Sequence, residues 1–178
     1  MKILLHIWII ICLSSGLYPV NQKIQPQHIE IIQKHPVMDK KILLIYHDPT
    51  HRLHILTKRI DQKLQVTLND LEDEQVLDAK NFDLIILGDI ASNDDVSNEM
   101  KDFLSWYDFQ GKQVSAYFLD AMHQEEYEEN LKRQLRHGEY LNGFGINDDE
   151  LEDMEEVNHL MDGWLTSTYS PVSHTNQQ

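Results

Sequence analysis

The feature that most constrains this chain is a repeated switch in the period of its apolar residues. Ile42–Leu43–Leu44–Ile45–Tyr46 is a short continuous apolar run, the pattern of a strand buried on both faces. Between His51 and Leu64, Leu53, Leu56, Ile60 and Leu64 recur at spacings of 3 and 4, which predicts a helix with one apolar stripe. The switch then repeats. Gln65–Val66–Thr67–Leu68 reads as a short second strand, and Asn69 to Asn81 is acidic and indecisive. Phe82 to Gly88 reads as a buried strand that stops on glycine. Val96, Met100, Phe103, Leu104 and Tyr107 form a helical face. Lys112 to Leu119 follows the Gly111 turn as a fourth strand. Tyr127, Leu131 and Leu135 mark another helix, Glu139 to Ile146 a fifth strand, and Leu151 to Leu165 a closing helix. This alternation predicts an α/β domain, a three-layer doubly wound mostly parallel five-stranded sheet with helices on both faces.

The N-terminus admits two readings. Met1 to Gly16 carries one positive charge, an apolar run and then small residues. Roughly a dozen apolar residues are too few to span a bilayer but suit a signal-peptide core. On that reading residues 1–16 are a signal peptide and the protein is secreted or belongs to the cell envelope. On the other, Met38 is the true start, since it opens a charged segment running into the first strand, and the protein is cytoplasmic. Residues 17–37, with Pro19, Pro26 and Pro36, read as a linker in either case. The domain is then expected over 38–166, with a polar tail from 167 to 178. No integral membrane span is expected.

Charge narrows the partners. The chain of 178 residues has a net charge of −15. Residues 1–37 hold three Lys and one Glu, so the remaining 141 residues carry −17. Nucleic acid is therefore not an expected partner, because phosphate neutralisation needs clustered Lys and Arg. The single cysteine, Cys12, excludes an intramolecular disulfide, a cysteine-based zinc site and an iron–sulfur cluster.

Three stretches resemble the short-chain flavodoxins: Lys40 to Ile60 (KKILLIYHDPTHRLHILTKRI), Phe82 to Asp95 (FDLIILGDIASNDD) and Phe103 to Leu119 (FLSWYDFQGKQVSAYFL). The last is the most specific, with a helix ending in FL, a YDF turn and GK opening the next strand. Gly163–Trp164–Leu165 is similar to the family's terminal WL. The resemblance spans residues 40–166 and implies a flavodoxin-like fold, FMN as cofactor, and one-electron transfer to a basic redox partner that the acidic surface would steer.

The same resemblance implies where FMN would sit. The phosphate belongs to the loop after the first strand, here His47, Asp48, Pro49, Thr50, His51, Arg52 and Leu53. Only Thr50 matches the family's hydroxyl-rich Ser/Thr-x-Thr-Gly-Asn-Thr pattern. Asp48 replaces a hydroxyl, His51 the glycine and Leu53 a second hydroxyl. The isoalloxazine would lie between the loop of Asp89, Ile90, Ala91, Ser92 and Asn93 and the loop opened by Asp120 and Ala121. The first has no aromatic to stack on, and the second leads through Met122 and His123 into the acidic run Glu125 to Glu129. Two functional classes follow: an FMN electron carrier with weak or lost flavin binding, and a flavin-free interaction module on the same scaffold.

Other clusters are less specific. His47, Asp48, His51 and His54 offer imidazole and carboxylate ligands for a metal, and His51 with Arg52 could attract an anion at a helix start. A third reading is thus a metal- or anion-binding protein using His47, His51 and His54. Asn147 to Glu156 (NDDELEDMEE) lacks the glycine that an EF-hand loop needs at its sixth position, where Glu152 stands. It reads as a helix start, with carboxylates favoured by the dipole. No nucleophile elbow, dinucleotide fingerprint or Walker loop occurs.

Overall fold

The computed structural model describes residues 40–169. The expectations for residues 1–16, for the linker and for residues 170–178 lie outside that range. Five strands, β1 (Ile42–Tyr46), β2 (Thr67–Asp70), β3 (Leu84–Ile90), β4 (Gln113–Leu119) and β5 (Glu139–Ile146), form one sheet in the order β2-β1-β3-β4-β5. Every neighbouring pair is parallel. Four helices connect or close them: α1 (His54–Leu64), α2 (Asn98–Trp106), α3 (Gln124–Gln134) and α4 (Met154–Tyr169). None is long and apolar enough to cross a membrane.

Both faces of the central strands are apolar because each face meets helices. Leu43, Ile45, Ile85, Leu87, Val114, Ala116 and Phe118 pack with Met100, Phe103 and Leu104 of α2 and Tyr127 and Leu131 of α3. Their chain neighbours Ile42, Leu44, Leu84, Ile86, Tyr117 and Leu119 point to the other side. There they meet Leu56 and Ile60 of α1 and Val157, Met161 and Trp164 of α4. The expected three layers are thus present, and the sheet is wholly parallel.

Several boundaries differ from the sequence reading. The first helix starts at His54 and not at His51, because His51 adopts a left-handed backbone (φ 59). The second strand begins at Thr67, since Gln65 caps α1 in the same left-handed conformation. The third strand does not stop at Gly88 but continues to Ile90. Gly88 is there for space: the Tyr117 ring of β4 occupies the volume that a Cβ would need. The acidic segment after β5 forms a short 3-10 turn, Asp148–Glu152, before α4 starts at Met154 and runs to Tyr169, past the expected boundary at 166.

The aromatic turn between α2 and β4 is packing. Phe103, Tyr107 and Phe109 contact one another edge-on or tilted, and the Tyr107 hydroxyl donates to the Leu77 carbonyl at 2.6 Å. Trp106 lies against Phe103 and Tyr107 yet stays exposed.

Candidate functional site

Open parallel sheets take ligands outside the carboxyl ends of their strands, at the point where strand order reverses. Here the chain leaves β1 for β2 on one side and returns to β3 on the other. The loops after β1, β3, β4 and β5 gather at that edge.

The loop after β1 is tight. The His51 amide donates to the Asp48 carbonyl at 3.1 Å, closing a turn around Pro49 and Thr50. A left-handed histidine costs about 1–2 kcal/mol relative to an ordinary conformation, a cost glycine avoids. Leu53 is fully buried and packs with Leu56 and Ile60, so it is a core anchor at the helix start and not a ligand group. It supplies no side-chain cap to α1. Thr50 and His51 are exposed. Asp48 is 7% exposed, and its Oδ1 and the Nδ1 of His47 have no hydrogen-bond partner among the described residues.

Arg52 ties three loops together. Its Nη2 lies 2.6 Å from Asp120 Oδ2, after β4, and 2.9 Å from Asp148 Oδ1, after β5. Its Nε donates to Asp148 Oδ1 at 3.1 Å, and the Asp148 amide donates to Asp120 Oδ1 at 3.2 Å. Hydrogen bonds first to Asp120 and then to Asp148 raise the guanidinium pKa above its already high value. Since β3 lies between β1 and β4, the Arg52–Asp120 pair links the strands on either side of it, at the mouth of the crevice.

The loops after β3 and β4 are also joined. Asp89 turns inward, 1% exposed, and its Oδ2 accepts from the Ser97 amide at 3.0 Å and the Tyr127 hydroxyl at 2.9 Å. It ties α2 and α3 to β3. Burial pushes its carboxyl pKa up, against those hydrogen bonds. Ser92 and Asp95 pair across a hairpin turn whose two central residues, Asn93 and Asp94, have φ of 52 and 60. Ile90, Ala91 and Ala121 are half-buried beside the core. Asp94 reaches across to His123: Nδ1 lies 2.7 Å from Oδ2, and the His123 amide donates to Oδ1 at 2.9 Å. That contact raises the His123 pKa and lowers that of Asp94.

Of the residues expected at the site, Arg52 and Asp120 are brought into contact, and Asp48 is in the loop that carries Arg52. Ser92 and Asn93 are exposed on the hairpin. The ligand atoms of His47, Asp48, His51 and His54 do not converge as a metal set, because His51 precedes the helix and shares no face with His54. Asp148, Asp94 and Glu126 are candidate site residues that nothing in the sequence marks. Asp148 sat in a run of carboxylates with no local mark separating the one that meets Arg52 from its neighbours.

No family model and no curated protein matches the chain. Solved structures do. A flavoprotein from Lactobacillus acidophilus, in complex with FMN, superposes with a TM-score of 0.51 at 14% identity, over 65% of this chain and 99% of that one. An NADPH-quinone reductase from P. pentosaceus gives 0.50 at 10% identity, over 74% and 99%. The fold is flavodoxin-like. At such identities the likeness concerns architecture alone.

The loop after β1 is a poor match for an FMN phosphate. A phosphate needs donors and positive charge, whereas this loop offers a buried carboxylate, Asp48, with an oxygen lacking any donor. Its one arginine is already engaged by two carboxylates. Like charges 4 Å apart repel by about 4 kcal/mol per unit pair at an effective dielectric constant of 20. The loops that would sandwich a flavin ring carry no aromatic and are bonded to each other through Asp94 and His123.

Proposed function

We propose that the protein is a flavin-free binding module on a flavodoxin-like scaffold, whose carboxyl-end face docks a partner with a basic surface. The observation that carries this reading is the Arg52–Asp120–Asp148 bridge across the crevice. It turns a ligand seat into a closed surface that keeps a net negative charge. Further carboxylates follow the same strand ends: Glu72 and Asp73 after β2, Asp94 after β3, Glu125 and Glu126 after β4, and Asp149 and Glu150 after β5. A face of one sign concentrates partners of the other and speeds their encounter, more so at low salt.

A second reading is an FMN electron carrier, favoured by the superposition on an FMN-bound flavoprotein. Titration of the purified chain with FMN, followed by quenching of flavin fluorescence, separates the two. The module reading expects a colourless preparation and no saturable quenching. A yellow preparation, or binding with a Kd of about 1 µM or tighter, worth about −8 kcal/mol, would establish the carrier instead.

A further inference from the structure

Outside the arginine bridge lies a second convergence of side chains. Asp94 comes from the hairpin turn after β3, and His123 and Glu126 stand at the start of α3. A carboxylate oxygen of Asp94, a ring nitrogen of His123 and a carboxylate oxygen of Glu126 all lie within 4.8 Å of one another. Among the described residues this is the one such group of three. Imidazole and carboxylate bind first-row divalent ions at about 2.0–2.2 Å, which holds tetrahedral ligands roughly 3.4 Å apart. No pair therefore has to close by more than about 1.4 Å, and rotation of two exposed side chains, His123 and Glu126, supplies that.

We propose that Asp94, His123 and Glu126 form a binding site for a divalent first-row metal ion, with Zn²⁺ the best match. One nitrogen and two oxygens, without thiolate, suit Zn²⁺ better than soft ions, which prefer sulfur, or Mg²⁺ and Ca²⁺, which prefer oxygen alone. Asp94 is preset for the task. Its side chain is 14% exposed, its carbonyl accepts from the Asn130 side-chain Nδ2 at 3.3 Å, and its Oδ1 accepts from the His123 backbone N–H. That leaves Oδ2 facing His123 Nδ1 at 2.7 Å, a spacing the ion would open slightly as it takes the place of the shared proton. The positive end of the α3 dipole opposes a cation with about half an elementary charge, and the two carboxylates outweigh it. Three protein ligands leave one position for water or another group, the arrangement of zinc sites that are not purely structural. The loops involved are those at which open α/β sheets bind ligands.

Calorimetric titration with ZnCl₂ and visible absorption of the Co²⁺-loaded protein test the site. The expectation is one equivalent of Zn²⁺ and a Co²⁺ band displaced by Zn²⁺. His123→Ala and Glu126→Gln should each weaken binding by at least about tenfold, with unchanged far-ultraviolet circular dichroism. Glu126→Gln leaves the His123–Asp94 contact in place, so its loss of affinity reports ligation and not loop structure. His51→Ala, outside the cluster, should bind as the unaltered chain does. Absence of saturable Zn²⁺ binding, or affinity equal in the unaltered chain and both cluster variants, would overturn the assignment.

Discussion

Arg52 Nη2 stands 2.6 Å from Asp120 Oδ2, joining residues 68 positions apart across the carboxyl ends of the central strands. Both side chains are about one-third exposed, so water screens the attraction. Exposed pairs are worth about 0.2–1 kcal/mol, and a charge shared by two carboxylates somewhat more. Arg52→Met is therefore expected to lower stability by about 1 kcal/mol in urea denaturation, with the difference from the unaltered chain shrinking as salt is added. A loss that is independent of salt would mean the side chain acts by packing alone.

Gly88 and Tyr117 share one small volume between β3 and β4. A methyl at Gly88 overlaps the ring, which cannot retreat because it is fully buried and its hydroxyl is 2.5 Å from Thr57 Oγ1. Gly88→Ala should cost about 2–3 kcal/mol, the upper part of the usual range for overpacking a core. Tyr117→Phe, which removes only the hydroxyl, should cost about 1 kcal/mol. Urea midpoints of the two variants should fall in that order.

Asp89 makes stability depend on pH. Its folded pKa is raised above the ordinary value of 3.8 by burial. The fold thus prefers the protonated carboxyl. Its stabilising contribution is fully present below about pH 3.8 and is lost as pH rises through the elevated folded value. Asp89→Asn removes that pH dependence. The stability of the unaltered chain relative to the variant should fall as pH rises above about 4 and level off once the elevated folded pKa is passed, measured as urea midpoints at each pH. A constant difference would show that Asp89 titrates normally.

His123 should carry its proton to higher pH than a free imidazole, because the Asp94 contact favours the charged form. A raised histidine stabilises the fold below its unfolded pKa of about 6.5, and that contribution disappears as pH rises through the folded value. In metal-free buffer, the ring-proton shifts of His123 should titrate above about 6.5, and Asp94→Asn should return them to the ordinary range. An unchanged midpoint in the variant would place the cause elsewhere.

The N-cap of α2 is a local device with a local test. The Ser97 side chain accepts from the Met100 amide at 3.2 Å. Ser97→Ala should cost about 1 kcal/mol, the usual value of such a cap, in thermal or urea unfolding.

What could be read from the chain follows from the range of the forces involved. The strands Ile42–Tyr46 and Glu139–Ile146 were legible to the residue, and the remaining strands and helices to within a few residues. Burial on two faces or one leaves a period of apolar residues that needs no knowledge of neighbours. Boundaries drifted where backbone conformation, and not apolarity, decided them, as at His51 and Gln65. Gly88 reads as a stop in the sequence, whereas its role is set by Tyr117, on another strand.

The site was legible only as a set of loops. Arg52, Asp48 and Asp120 could be placed at the carboxyl edge, since loop position follows from strand order. Their pairing could not. A guanidinium left free would favour an anion there, whereas one held by Asp120 and Asp148 closes the crevice, and that choice depends on contacts between residues 68 and 96 positions apart. The same holds for Asp94 and His123, 29 positions apart. The sequence by itself determined the layered α/β architecture and its acidic charge, because patterning and composition act locally or by summation. Only the tertiary structure decided which charges meet, because Coulomb and hydrogen-bond energies depend on ångström distances that chain order does not encode.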